Sequence, residues 1–302
     1  MTVSSTSMSW LEANARQRVA ALVDPGSFAE FIGPEQRELS PHLRLFDLPE
    51  QFDDGMIVGR AAIGGHPVLL AAQEGRFMGG AVGEVHGAKL TGLLRAAAQL
   101  HRDVLILFDT GGVRLQEANA GELAIGEIIR AIVELRQAEK RVIGLIGGRA
   151  GCYGGGGLIA GCCSSLIVSE QGRISVSGPE VIETNKGVEE FDSQDRALVW
   201  RIMGGKHRYL IGGADLFVED HAGAFRQAAE AALRRPAGLK LSTLKAEQAR
   251  LKRRLRRFGH AKDGSEVWSA LGIGDPDAMP GLAYHDFVRL AADHRETADD
   301  AR

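Results

Sequence analysis

The sequence contains little cysteine and no arrangement of residues that would hold a metal ion. Its 302 residues include only Cys152, Cys162 and Cys163, and none of them forms a Cys-x-x-Cys pair. No histidine lies at the spacing of a zinc site. We therefore predict that the chain binds no metal. An odd and low cysteine count also favours a reducing compartment over a disulfide-bonded secreted protein.

Long apolar runs and a strong excess of charge are missing as well. The first twenty residues lack the apolar core of a signal peptide, and no segment approaches the ~18 apolar residues of a membrane-spanning helix. The formal net charge of −3 at pH 7 gives no global attraction to nucleic acid or to an anionic membrane. These absences predict a cytoplasmic protein that binds neither membranes nor nucleic acid.

The motifs of several enzyme classes do not occur. There is no G-x-x-x-x-G-K-[ST] sequence, which excludes a P-loop nucleotidase, and no G-x-S-x-G or H-E-x-x-H sequence, which argues against the common hydrolases. The stretch 147–157 is rich in glycine but lacks the G-x-G-x-x-G spacing of a dinucleotide-binding fold.

Glycine, in contrast, is abundant and clustered. The chain has 39 glycines, nearly twice the usual share of ~7%. Such clusters mark places where the backbone turns sharply or approaches a ligand closely. They lie at 79–83, 111–112, 144–157, 204–205 and 212–213.

The hydrophobic pattern predicts an α/β fold in which glycine loops follow the strands. Residues 1–50 are predicted to be an N-terminal extension, 51–238 the core, and 239–302 a basic helix with a tail. Within the core, strands are expected at 56–63, 67–72, 103–109, 141–146, 166–168 and 173–176, and helices at 84–100, 123–137, 155–163, 191–203 and 222–234.

Two glycine loops at strand ends carry the predicted chemistry. In the first, Gly111 shapes the turn and the N–H groups of Gly112 and Val113 point into a cavity; in the second, Gly154 and Gly155 open a helix. Two such sets of donors facing one point would form an oxyanion hole. Either loop alone could simply turn the chain, but both at strand ends favour catalysis.

The ordered motifs of residues 54–182 resemble the carboxyltransferase subunits of acyl-CoA carboxylases. Within that group the chain is most similar to the beta subunits of malonate decarboxylases, because it lacks a four-Cys zinc ribbon and is one carboxyltransferase half rather than a fused pair. The matching stretches are 54–60, 71–73, 77–89, 111–117, 154–157 and 177–182.

This resemblance implies a crotonase-like fold of repeated ββα units with a helical C-terminal part. It also implies a related gamma subunit, with the active site at their interface, and an acyl carrier protein subunit that supplies malonyl thioester on a coenzyme-A-like prosthetic arm. The products would be acetyl thioester and CO₂, and the chain itself would bind no cofactor. We assign substrate binding to Phe77, Met78, Gly79, Gly80 and Gly156. In this reaction Gly154 and Gly155 would either complete the oxyanion hole or bind the departing carboxylate.

Two alternative functions are also compatible with the sequence. The chain could be a carboxyltransferase subunit of a biotin-dependent acyl-CoA carboxylase or malonate decarboxylase, since biotin would be carried on another protein. It could also be a non-catalytic scaffold for the gamma subunit.

Several side chains have structural interpretations of equal or greater weight than functional ones. An internal ion pair is expected for Arg114 and Glu117, a solvated helix face for His86 and Lys89, and packing for Cys152. The basic helix at 241–258 either exposes a solvated face beside a packed leucine stripe or docks an acidic carrier protein.

Overall fold

The computed structural model describes residues 7–47 and 55–296, in which the strands form one seven-stranded sheet. Neighbours in the sheet follow chain order, antiparallel for the first two pairs and parallel for the rest. The strands are β1 (Ala29–Glu30), β2 (Met56–Ile63), β3 (His66–Gln73), β4 (Asp103–Phe108), β5 (Val142–Ile146), β6 (Ser165–Ser169) and β7 (Leu216–Val218). The predicted hairpin is confirmed, since Ile63 pairs with His66 across two glycines with positive φ.

Helices surround this sheet, and none of those in the described part of the chain is long and apolar enough to cross a bilayer. They are α1 (Ala15–Leu22), α2 (Glu84–Leu100), α3 (Asn119–Gln137), α4 (Gly154–Gly161), α5 (Pro179–Lys186), α6 (Arg196–Met203), α7 (Gly205–Leu210), α8 (Ala222–Ala232), α9 (Leu241–Phe258), α10 (Gly264–Ala270) and α11 (Tyr284–His294).

Three of the predicted core elements differ from the observed ones by more than two residues. The helix expected from residue 123 begins at Asn119. The helix expected from residue 191 begins only at Arg196, because the carboxylate of Asp195 accepts the N–H of Leu198 and caps the helix there. The strand expected at 173–176 is reduced to isolated bridges, in which Arg173 pairs with Gly204 and Ile174 with Cys152.

Alternate residues of the central strands contribute to two separate cores. Val104 and Ile106 of β4 face the core that α2 and α3 cover, whereas Leu105 and Leu107 face the core that α1 and α8 cover. Every residue of β4 is buried, which explains its continuous apolar sequence.

The predicted N-terminal extension packs against the core where it is described. Trp10 stacks on Phe225 of α8 with ring centroids 4.2 Å apart, and β1 pairs with β2. The predicted boundary at residues 50 and 51 lies outside the described residues, as do residues 297–302 of the predicted tail.

The loops that follow β3, β4 and β5 pair with one another beyond the end of the sheet. Val82 bridges Val113, Thr110 bridges Cys152, and Cys152 also bridges Ile174, all in parallel. Because parallel strands end on the same edge of a sheet, this second layer gathers the glycine loops at one place.

Candidate active site

Three loops meet at the carboxyl end of the sheet. They are the first loop (residues 77–83), the second loop (109–114) and the third loop (147–155). Backbone hydrogen bonds join them: the N–H of Gly111 donates to the carbonyl of Gly79 at 2.8 Å, and the N–H of Thr110 donates to the carbonyl of Gly151 at 2.8 Å. The N–H of Tyr153 donates back to the Thr110 carbonyl at 3.0 Å. The sequence-predicted loops are therefore brought together.

The amides of the second loop differ in whether they are free to bind a ligand. The amide of Gly111 is occupied by Gly79, and that of Gly112 donates to Thr110 Oγ1 at 3.1 Å. The amide of Val113 has no acceptor among the described residues. Val113 is thus the free donor in this loop, whereas the sequence predicted both Gly112 and Val113 as donors.

The direction of the Val113 amide follows from its bridge to Val82. That bridge is formed by the backbone groups of the two residues that flank Val113. The Val82 N–H donates to the Gly112 carbonyl, and the Arg114 N–H donates to the Val82 carbonyl. A residue flanked in this way turns its own N–H to the opposite side of the ladder. The Val113 amide therefore points away from the first loop.

The third loop supplies further donors at the start of α4. Gly154, Gly155 and Gly156 form the first turn of this helix, and no acceptor for their amides is found among the described residues. The first amides of any helix lack intrahelical partners and carry the positive end of the helix dipole. This turn therefore favours a negatively charged oxygen.

The second and third loops approach each other so closely that only glycine fits. A Cβ atom on Gly154 would lie 3.2 Å from the Gly112 Cα, and one on Gly155 would lie 3.0 Å from the Val113 Cγ2. Gly112 also has a φ of 132°, in the region that favours glycine. The free amides of Val113 and of the α4 turn consequently belong to residues in direct contact.

The residues assigned to substrate binding take different positions. Phe77 and Met78 are half-buried beside the site, and Gly79 is exposed. Gly80 and Gly156 are buried. A Cβ on Gly80 would lie 1.8 Å from the Asp109 carbonyl oxygen, and one on Gly156 would lie 2.3 Å from the Thr110 Cγ2. Close packing alone accounts for these last two glycines.

The predicted ion pair between Arg114 and Glu117 is confirmed. Their side chains are fully buried, with 3.1 Å between Arg114 Nη1 and Glu117 Oε1. Glu117 also accepts the N–H of Glu84 at the start of α2, and the Arg114 guanidinium lies 5.2 Å from the centre of the Phe77 ring. The pair therefore fixes the first loop against the second.

A second buried ion pair supports the site, and sequence reasoning missed it. Asp109, the residue after β4, accepts from Arg18 Nη1 of α1 at 2.7 Å, and both side chains are almost completely buried. The same carboxylate accepts the N–H of Ala150 in the third loop at 2.7 Å. An acidic residue at the end of an apolar strand was the available signal for Asp109, but nothing in the sequence indicated Arg18, 91 positions away.

The prediction of a solvated face for His86 and Lys89 is wrong. Both side chains are buried, because this side of α2 faces the sheet. His86 Nε2 lies 3.1 Å from Gln73 Nε2, and Gln73 Oε1 accepts the N–H of Asp109. Lys89 donates to the Met56 carbonyl. These contacts tie α2 to the strands that carry the first and second loops.

Cys152 and Tyr153 are not poised as nucleophiles. Both side chains are buried, and burial raises the pKa of the Cys152 thiol well above its usual value and also raises that of the Tyr153 hydroxyl. The packing role predicted for Cys152 fits this environment. Within residues 7–47 and 55–296, no group of three or more His, Cys, Asp or Glu side chains could hold a metal ion.

Large apolar side chains around the glycine loops are exposed to solvent. Two neighbouring segments touch the site, since a Cβ on Gly155 would meet Ile125 of α3 and one on Gly157 would meet the Ser175 carbonyl. We call this set the apolar rim; its members are Leu115, Leu123, Leu158, Val176 and Val181.

Comparison with known proteins agrees with this architecture. The carboxyl transferase domain model matches residues 12–237. A malonyl-S-ACP:biotin-protein carboxyltransferase from Malonomonas rubra is 38% identical over 94% of this chain and 95% of its own length. The acetyl-coenzyme A carboxylase carboxyl transferase subunit beta of Desulfitobacterium hafniense is 32% identical over 56% of this chain and 58% of its own length.

A solved structure has a similar fold. A chain of the Pseudomonas malonate decarboxylase hetero-tetramer, solved in complex with malonate, superimposes with a TM-score of 0.81 at 39% identity, covering 87% of this chain and 97% of that one. The expected crotonase-like α/β fold is confirmed by these matches. The chain belongs to the carboxyl transferase domain family, on the branch of the malonate decarboxylase subunits.

Proposed function

We propose that the chain decarboxylates a malonyl thioester by binding its carbonyl oxygen between the amide of Val113 and the first amides of α4. The bond between the α-carbon and the carboxylate breaks, CO₂ leaves, and the electron pair forms an enolate. The enolate oxygen carries the charge that the amides bind. A proton from water or from a partner subunit then completes the acetyl thioester.

The observation that supports this proposal is the contact between two loops that each present unbonded amides. Donors aimed at a developing charge stabilise the transition state more than the substrate, and removal of one oxyanion-hole donor from a protease costs roughly 2.7–4 kcal/mol. No nucleophilic side chain is needed, which agrees with the burial of Cys152.

The apolar rim beside the site also supports the presence of partner subunits. The related chains from Pseudomonas were solved in a hetero-dimer and a hetero-tetramer. We propose that a gamma subunit covers the apolar rim and closes the site, which would otherwise leave large apolar side chains in water. An acyl carrier protein would deliver the malonyl group on its coenzyme-A-like arm.

A second candidate reaction is transfer of the carboxyl group to a biotin-bearing protein. It is favoured by the similarity of this chain to the malonyl-S-ACP:biotin-protein carboxyltransferase of Malonomonas rubra. Both reactions share the enolate step, so they differ only in whether CO₂ is released or captured. Avidin would inhibit transfer by the purified complex and would leave direct decarboxylation unchanged.

The proposal is tested by removing one amide while the fold is kept. Val113 does not have the positive φ that proline cannot adopt, and Val113→Pro removes its free N–H together with the valine side chain. We expect Val113→Pro to lower kcat for CO₂ release from malonyl carrier protein by about 10²–10³-fold. Val113→Ala is the matched control, because it removes the same side-chain packing and keeps the amide.

The two variants are compared in the assembled complex. Normal gamma-subunit binding with a selective loss in Val113→Pro supports the amide as a catalytic donor. Equal rates in Val113→Pro and Val113→Ala would reject it and would favour the scaffold alternative.

A further inference from the structure

The basic helix α9 presents its leucines to solvent rather than to the core. The relative exposure is 68% for Leu241, 48% for Leu244, 40% for Leu251 and 71% for Leu255. The structure therefore rules out the packed leucine stripe, one of the two interpretations of this helix from the sequence. Alternating spacings of three and four residues place such side chains along one face of a helix.

The opposite face of α9 is held against the body of the molecule by arginines. Arg250 is the one residue of α9 that is buried, and its guanidinium and that of Arg254 donate to the Ile211 carbonyl at 3.4 and 3.1 Å. Arg257 donates to the Ala270 carbonyl at 2.6 Å. These hydrogen bonds fix the orientation of α9 about its own axis, and this orientation leaves the leucines exposed.

The leucine face is flanked by cations. Lys245, Lys252 and Arg256 are exposed. On a helix these three positions project within about 40° of one another, in a strip directly next to the leucines. The sequence of α9 contains seven lysine and arginine residues and one glutamate, although the whole chain has a net charge of −3. Positive charge is therefore concentrated on this helix.

A groove runs along the C-terminal half of the same helix. It encloses about 360 Å³ and is walled by Leu251, Leu255 and Phe258 of α9 and by Ile211 beyond α7. Arg208 also lines it, with a buried Nε that has no hydrogen-bond partner in the described part of the chain. Burial and the neighbouring Arg254 lower the pKa of the Arg208 guanidinium to about 10. An apolar groove with cationic groups suits an amphipathic, acidic element.

We infer that α9 and its groove are the docking surface for the acyl carrier protein, through a helix of that protein with an acidic, apolar face. This inference rests on the proposed function for the identity of the partner. Charge decides between it and a second copy of the chain, because two α9 helices packed on their leucines would bring Lys245, Lys252 and Arg256 of both copies together. Opposite charge on the partner removes that repulsion and accelerates association.

The test uses the complex of this chain with its gamma subunit and the acyl carrier protein of the same system. The variants are the charge reversal Lys252→Glu/Arg256→Glu and the apolar change Leu251→Gln/Leu255→Gln. The control is Arg60→Glu/Arg102→Glu, which reverses two exposed cations that lie on β2 and directly before β4 and do not line the groove.

Binding is measured by fluorescence anisotropy of labelled holo carrier protein, which does not require turnover. We expect both α9 variants to weaken binding about tenfold at low salt, and the charge reversal also to flatten the salt dependence. The control should bind normally. In the turnover assay, KM for malonyl carrier protein should rise while kcat/KM for malonyl-pantetheine stays unchanged.

Three results would overturn the inference: unchanged carrier binding by both α9 variants, loss of the gamma subunit from them, or an equal defect with malonyl-pantetheine. A wild-type complex that binds the carrier through α9 but releases no CO₂ would contradict the proposed function alone. The two proposals can therefore fail separately.

Discussion

Replacing Arg18 by methionine tests how the active-site loops are held. Arg18 brings α1 to Asp109 at the end of β4, and its guanidinium also donates to the carbonyls of Trp10 and Leu11. Methionine keeps much of the apolar volume and removes all of these bonds. The Asp109 carboxylate would then remain buried with the N–H of Ala150 as its remaining bonded neighbour.

The expected cost follows from the burial of both partners. The side-chain exposure is 2% for Arg18 and 4% for Asp109, and breaking a buried ion pair on one side costs about 3–5 kcal/mol. That is a large fraction of a typical unfolding free energy of roughly 5–15 kcal/mol. A Cβ on Gly148 would lie 2.2 Å from the Asp109 Cγ, so the loop has no room to rearrange around the unpaired charge.

The assay is urea unfolding of the chain, followed by CO₂ release in the complex. Arg16→Met is the control, because Arg16 lies on the same helix as Arg18 but is 41% exposed. Its ion pair with Glu30 of β1 contributes at most about 1 kcal/mol. Arg18→Met/Asp109→Asn should be more stable than Arg18→Met, since the double variant leaves no buried charge. Similar stability of the Arg18 and Arg16 variants, or a double variant less stable than Arg18→Met, would refute the reasoning.

Three further changes test separate features. Gly155→Ala should lower turnover, because its Cβ would lie 2.5 Å from Ile125 Cδ1 and shift the first turn of α4. The control Gly126→Ala in α3 places its Cβ in open space and should stabilise the helix by about 0.5–1 kcal/mol. Equal turnover in the two variants would show that the turn tolerates movement. Cys152→Ala should keep turnover within about twofold, since its buried thiol is protonated, and a loss of turnover with an unchanged fold would make Cys152 catalytic. Burial lowers the pKa of His207 to about 3, so below pH 6.5 the unfolded chain binds a proton that the folded chain does not, and the free energy of unfolding should fall by up to about 1.4 kcal/mol per pH unit as pH drops. His207→Gln should reduce that slope in urea titrations between pH 7 and 5. An identical slope would exclude His207 as its cause.

Much of the fold could be predicted from local patterns. The apolar run of β4, the glycine turn between β2 and β3, and the limits of α2 all follow from residues adjacent in the chain. Helix α6 began later than predicted because a side-chain cap at Asp195 determines its start. The apolar pattern alone does not contain that information.

The site could be predicted only in part, because its free donors depend on long-range contacts. The glycine loops were found from sequence, but the competition of Thr110 Oγ1 for the Gly112 amide is visible only in three dimensions. The Arg18–Asp109 pair joins residues 91 apart, and its charges resemble ordinary surface residues in the sequence. The burial of His86 and Lys89 likewise depends on which side of α2 meets the sheet.

The central claim is most directly tested by a structure of the complex with a sulfonate analogue of malonyl-pantetheine, which cannot lose CO₂. We predict that the thioester carbonyl oxygen lies about 2.7–3.1 Å from the amide nitrogen of Val113 and from that of Gly154 or Gly155. A carbonyl oxygen bound instead by a side chain, or outside hydrogen-bond distance of these amides, would contradict the account.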